Sequence, residues 1–146
     1  RMPVEGTVAR GQLNESDEYY RGRDSQTGEF VKNSPVEINM TGLQRGQERY
    51  NIYCAVCHGQ SGDGRGIILE YNYVPPPTFQ SDLVRNYPDG HIFDVISNGK
   101  GNMPGYAPQI KVEDRWQIIN YLRTLQFSQN AELDDLPPEV RKKITK

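Results

Sequence analysis

Cysteine is scarce in this chain of 146 residues. There are two, Cys54 and Cys57, and both lie inside one pentapeptide, so none is left for another task. Histidine is as scarce, with only His58 and His91, and the methionines are Met2, Met40 and Met103. Long apolar runs are missing. No stretch of 18 or more apolar residues occurs, so the chain as given has no segment able to span a bilayer as a helix. An excess of basic charge is missing as well: the net charge is −2, which removes the basic stripe that a nucleic-acid surface needs. Apolar residues make up 35% of the chain, a low share for a globular domain, so side chains alone would build a thin core. At this length one domain with tails is expected.

The pentapeptide is Cys54-Ala55-Val56-Cys57-His58, the C-x-x-C-H signature for attachment of a c-type haem. The two sulfurs can add to the two vinyl groups of the ring. The histidine that follows then lies beneath the ring and can ligate the iron. Average residue usage gives such a string in a chain this long in fewer than about one case in a thousand. A large flat apolar group would also complete the thin core. One covalent haem c is therefore the expected cofactor, with Cys54 and Cys57 as thioethers and His58 as an axial ligand. Two other uses of the motif carry less. A redox dithiol needs a strand–helix context that is missing here. A zinc site from Cys54, Cys57, His58 and His91 departs from common zinc spacings, because His58 follows Cys57 directly.

Three zones follow one another. Residues 1–40 form a polar N-terminal extension. Val4, Val8, Phe30, Val31, Val36 and Ile38 recur there in short clusters around Tyr19-Tyr20, which favours an extension ordered on the domain or on a partner over a disordered tail. Residues 41–127 hold the chemistry. Thr41 is expected to cap a helix over 42–53, with Leu43, Gly46, Tyr50 and Tyr53 or Cys54 on one face. Residues 59–66 contain four glycines and read as a loop, and Val74-Pro75-Pro76-Pro77 reads as extended chain. Short helices are expected over 81–86 and 89–97, the second stopped by Asn98-Gly99. Glu113-Asp114 open a last helix with negative charge at its positive end, and Ile118, Tyr121, Leu122 and Leu125 make its buried face. Residues 128–146 form a C-terminal tail, expected to be mobile or partner-bound. Pro138 there suits the first position of a short helix over 138–145.

An electron carrier needs a second axial ligand, so that redox change leaves coordination unaltered. Met103 is the strongest candidate. It lies in Gly101-Asn102-Met103-Pro104-Gly105-Tyr106, a stretch without helical periodicity that can present a sulfur from a loop. Histidine–methionine ligation raises the reduction potential relative to two nitrogen ligands. Met2 and Met40 precede the motif in the polar zone, and His91 reads as a surface or propionate-side residue. The other ring nitrogen of a ligand histidine needs an acceptor to orient it. The expected source is Pro76, or its neighbours Pro75 and Pro77, whose carbonyls sit on a rigid extended segment.

Over roughly residues 41–127 the chain resembles class I c-type cytochromes. The resemblance rests on Cys54–His58, on the Met103-Pro104 loop and on the flanking helices. Gly46 matches the small residue where the first and last helices cross, and Tyr50 the aromatic four residues later. Ile118 and Tyr121 match the apolar-x-x-aromatic pair of the last helix. The resemblance implies an all-α fold, a small helical domain around one covalent haem, with His58 and Met103 as iron ligands.

A closer resemblance is to monohaem cytochrome c subunits of bacterial alternative complex III. It is carried by Asn86-Tyr87-Pro88-Asp89-Gly90-His91-Ile92-Phe93, Met103-Pro104-Gly105-Tyr106, Asp114-Arg115-Trp116 and the opening Met2-Pro3-Val4-Glu5-Gly6-Thr7-Val8-Ala9-Arg10-Gly11. This implies a lipid-anchored subunit at the periplasmic face of the inner membrane that carries single electrons and is not an enzyme by itself. Its partners would be the other redox subunits of a membrane respiratory complex and a terminal oxygen reductase. The long polar N-terminal zone departs from small soluble class I cytochromes. Haem attachment of this type takes place outside the cytoplasm, and Arg1 is an unusual first residue, so an upstream export signal or lipid anchor is expected. Only Lys100 and Lys111 lie in the central zone, so the lysine ring of a shuttling carrier is missing. A docked subunit is therefore expected over a free periplasmic carrier. A haem-based gas sensor, in which Met103 would leave the iron, is the remaining alternative.

Overall fold

The structure is a computed structural model and describes residues 4, 7, 8 and 14–144. Met2, and with it most of the opening string, lies outside the described residues. The elements in chain order are α1 (Asp17–Arg21), α2 (Met40–Tyr53), α3 (Ala55–His58), a 3-10 turn (Ile67–Tyr71), α4 (Asp82–Arg85), α5 (Asp89–Asn98), β1 (Gly99–Lys100), β2 (Met103–Pro104), α6 (Val112–Asn130), a second 3-10 turn (Leu133–Asp135) and α7 (Pro138–Ile144). The fold is all-α; among the described residues the only sheet is the β1–β2 hairpin.

Helix α2 starts two residues earlier than the sequence pattern suggests, because Asn39 and not Thr41 caps it. Asn39 is extended, and its Oδ1 accepts the Gly42 N–H at 2.8 Å. The helix then crosses α6 at Gly46. A Cβ there would lie 2.7 Å from the carbonyl carbon of Gln117 and nearer still to its oxygen. Only a residue without a side chain lets the two backbones come this close. Arg45 locks the crossing by a forked pair with Asp114, at 2.7 and 2.9 Å. One turn on, Tyr50 is fully buried against Tyr121 and Phe79, with ring centroids 5.4 and 6.3 Å away.

Helix α6 departs from a one-face helix. Besides Ile118 and Leu122, it buries Trp116, Gln117, Ile119 and Asn120, while Tyr121 and Leu125 are half-buried. Its first half is enclosed from several sides. α2 covers the Gln117 side, Phe93 of α5 stacks on Trp116 at 4.3 Å, and the N-terminal segment closes the rest.

That segment wraps over α5 and α6 as a strap, held mainly through backbone. Ser16 caps α1, and Gly22 at φ +69° ends it. The Gly22 carbonyl accepts from Val31 N–H at 3.0 Å, and the Val31 and Lys32 carbonyls accept from Gly90 and Asp89 N–H at 3.0 and 3.1 Å. Gly22 and Gly90 meet face to face: a Cβ on Gly90 would lie 2.8 Å from Val31 N. The indole of Trp116 donates to the Tyr19 carbonyl at 2.7 Å. Buried Asp89 accepts from Ser34 N–H at 2.8 Å and from Arg123 Nε at 2.7 Å, so strap, α5 and α6 share one carboxylate. In the C-terminal segment α7 forms with Pro138 at its first position and lies on the surface.

Candidate haem site

Cys54 ends α2 and opens α3 with near-helical angles, φ −108° and ψ −41°. Cys54, Cys57 and His58 therefore stand at i, i+3 and i+4 and share one face. The turn is closed by Cys57 and His58 N–H donating to the Cys54 carbonyl, at 3.1 and 2.9 Å. Gly59 at φ +75° ends it, and its carbonyl accepts the buried Tyr50 hydroxyl at 2.7 Å. The α2–α6 crossing thus reaches the back of the C-x-x-C-H turn through one side chain.

Both cysteines are free thiols and half-buried. Burial, with Cys57 adding, pushes the Cys54 thiol up to about 12. A thiol held neutral in this way is a poor nucleophile. Among the described residues no group of three His, Cys, Asp or Glu side chains is placed to hold a metal ion, which leaves the zinc arrangement without a ligand cluster.

His58 is drawn down to about 4 by burial, so the imidazole is neutral, the form that binds iron. Its Nδ1 is buried and has no hydrogen-bond partner among the described residues. The hydrogen bond expected from His58 Nδ1 to a carbonyl of Pro75, Pro76 or Pro77 is not formed. The Pro76 carbonyl lies instead against Gly64, whose N–H donates to the His58 carbonyl at 2.9 Å. The reason is local: Phe79 N–H donates to the Gly62 carbonyl at 2.8 Å, which lays the segment after the prolines along the 59–64 loop. Phe79 then stacks on the His58 ring, centroids 4.5 Å apart and planes 26° off parallel.

Met103 lies on a hairpin and not on an open loop. It faces Lys100 across β1–β2, and the turn residue Gly101 has φ +59°, the pattern of a type II′ turn. The methionine is half-buried and packs on the same core as Tyr53, Cys54 and Tyr106. Tyr106 stands edge-on to Tyr53 at 6.2 Å; burial raises its pKa, and the nearby thiols of Cys57 and Cys54 add to the rise. The segment carrying Met103 therefore comes up against the cysteines. The other candidates lie elsewhere. Met40 is exposed on the first turn of α2. His91 sits between the rings of Tyr87 and Phe30, at 4.5 and 5.0 Å, with Lys100 Nζ 3.3 Å from its Nε2.

Sequence reasoning missed Phe79, Tyr106 and the Tyr50 hydroxyl. Position is the available signal: Phe79 closes the proline run, and Tyr106 follows Met103 by one turn of chain. The residues present fit a c-type haem. Two half-buried thiols and a neutral imidazole share one helical face, and the imidazole's buried Nδ1 is unpartnered. Cys54 and Cys57 would hold the ring, and His58 and Met103 the iron. When bound, the haem supplies a one-electron iron couple; the chain's part is to fix the ligands and keep water from them.

A helical frame in which α2 and α6 cross at a glycine, with a C-x-x-C-H turn following α2, is that of a class I c-type cytochrome. The chain belongs to the family described as cytochrome C oxidase, cbb3-type, subunit III, whose model matches residues 41–122. Membership implies covalently bound haem c and electron transfer. No curated protein matches the chain. A similar solved structure belongs to the Kuenenia stuttgartiensis reducing HAO-like protein complex Kustc0457/Kustc0458. It is 19% identical, with a TM-score of 0.53, and the match covers 74% of this chain and 54% of that one. The chain thus spans about half the length of that structure, and at this identity the likeness shows the fold.

Proposed function

We propose that this cytochrome is the single-haem subunit of a bacterial quinol:electron-acceptor oxidoreductase of the alternative complex III type. It is held at the periplasmic face of the inner membrane and passes electrons from other redox subunits toward an oxygen reductase. The observation that carries this reading is the rim of the site. No charged residue occurs between Arg49 and Asp63, and Glu70 is the only one from 66 to 81. Ile52, Val56 and Ile67 are exposed there, and Gly66 backs onto the Val56 and Cys57 carbonyls, which brings Ile67 beside the motif. An uncharged, apolar rim suits a lasting contact. Carriers that dock transiently rely on charge to steer the encounter. The strap adds a second surface for neighbours. The family takes its description from an oxidase subunit, and the similar solved structure comes from a protein complex, both in keeping with a fixed place among redox partners.

The test is purification from native membranes in mild detergent. The expected result is co-migration with further haem-containing subunits and quinol oxidation by the assembly. A chain that elutes alone, and whose electron transfer falls steeply with salt, is a free carrier and overturns the reading.

A further inference from the structure

A cleft of about 400 Å³ opens between the strap, α5 and the start of α6, and none of its described lining residues belongs to the haem site. At its base lies Arg115, 7% exposed. Its Nε donates to the Ile110 carbonyl at 3.1 Å, its Nη1 bonds Ser97 Oγ, and the guanidinium stands 4.8 Å from the Phe93 ring centre. Nη2 has no hydrogen-bond partner among the described residues, and no described carboxylate pairs with Arg115. Burial accordingly pulls its pKa down. A buried charge without a counter-ion is costly, and a cleft that keeps one is built to receive the opposite charge.

The rim supplies more of the same. Arg23 donates to the Gly28 carbonyl at 2.9 Å and lies 4.0 Å above the Phe30 ring, again with no carboxylate among the described residues. Arg21 is paired with Asp17. Among the described residues Asp94 is the one acid in the lining, and Asn98 Nδ2 holds its Oδ1 at 2.8 Å. Asn14 and Tyr20 add neutral hydrogen-bonding groups.

We propose that this cleft binds a phosphate group. Arg115 and Arg23 both line the cleft without a described carboxylate partner, and arginine's planar fork fits phosphate oxygens. The phosphate comes either from inorganic phosphate or from an anionic lipid headgroup. The site stands apart from the electron-transfer reading and does not depend on it.

The experiment uses the holoprotein as isolated. Inorganic phosphate is titrated at constant ionic strength and followed by calorimetry. Flotation with phosphatidylcholine vesicles, with and without phosphatidic acid, runs in parallel. The expected result is one phosphate per chain. Arg23→Gln weakens it about tenfold or more, Asp94→Asn tightens it, and Lys143→Gln on α7 leaves it unchanged. Flotation that needs phosphatidic acid and is lost in Arg23→Gln assigns the lipid. Saturable phosphate binding without flotation assigns the free ion. Absence of saturable binding in either arm below about 10 mM, or binding that Arg23→Gln and Asp94→Asn leave unmoved, overturns the site.

Discussion

Replacing Gly46 by alanine tests the frame that carries the haem motif. A Cβ at this position would lie 2.7 Å from the Gln117 carbonyl carbon and 3.0 Å from Tyr121 Cβ. Carbon pairs rest at about 3.5–4.0 Å. The helices must therefore part by about 1 Å, since the obstacle is backbone and cannot rotate away. Overpacking of this kind costs about 1–3 kcal/mol, and the upper end applies where backbone meets backbone. Parting the helices also loosens the Tyr50 hydroxyl from the Gly59 carbonyl, worth about 1 kcal/mol. Against this stands the gain of alanine over glycine in a helix interior, at most about 1 kcal/mol. The net is a loss of about 2–3 kcal/mol, or a Tm lower by about 6–10 °C for a chain this size. The assay is thermal denaturation of the holoprotein by far-ultraviolet circular dichroism. Gly28→Ala is the control: it meets nothing within 4 Å and carries only its positive φ of +70°, a cost of about 1–2 kcal/mol. A Gly46→Ala protein with unchanged or raised Tm would show that helix propensity outweighs packing, and would refute the close crossing.

Tyr50→Phe should lower stability by about 1 kcal/mol, read from denaturant melts, because it removes a buried hydrogen bond behind the motif and leaves the Gly59 carbonyl with only the Gly62 N–H at 3.3 Å. Asp89→Asn removes the charged partner of Arg123 and weakens the anchor of Ser34, so amides of the strap, Val31 and Ser34 first, should exchange hydrogen faster while those of α2 do not. The pKa of His91 is held below its usual value by burial first and by Lys100 next, so the folded state binds fewer protons than the unfolded one near pH 6. Stability should then fall as pH drops from about 7 through the unfolded pKa of about 6.5, and His91→Gln should flatten that slope relative to the parent in paired melts. Met103→Ala should abolish the far-red charge-transfer band of a ferric methionine-ligated haem and lower the potential, with Met40→Ala leaving both in place; the reverse pattern would reassign the ligand.

The chemistry-bearing turn and the helix crossing were legible in the chain because both depend on short-range spacing. Gly46, Tyr50 and Tyr121 meet where the pattern places them and Ile118 is buried as expected, since small and aromatic residues at helical intervals have few other ways to pack. The strap's fastening was less legible. Its bonds run from the Gly22, Val31 and Lys32 backbone to α5, and backbone partners leave no mark in residue type. The burial of Trp116 and Asn120 follows from that cover, and that of Gln117 from α2, so a one-face reading of α6 could not include them. The surroundings of His58 were half legible. Prolines marked an extended segment, but the Phe79–Gly62 hydrogen bond sets which way their carbonyls point. Met103 was placed by its neighbours in sequence; the hairpin beneath it depends on Gly99 and Gly101, both at positive φ.

The haem site stands on one covalent haem held by Cys54 and Cys57. Mass spectrometry of the intact chain, isolated from its native source and denatured in acid, tests it most directly. The expected mass is that of the polypeptide plus a single haem, with the haem lost in a Cys54→Ala, Cys57→Ala double variant. A polypeptide at its bare mass, or two hydrogens lighter with the cysteines joined as a disulfide, would contradict it.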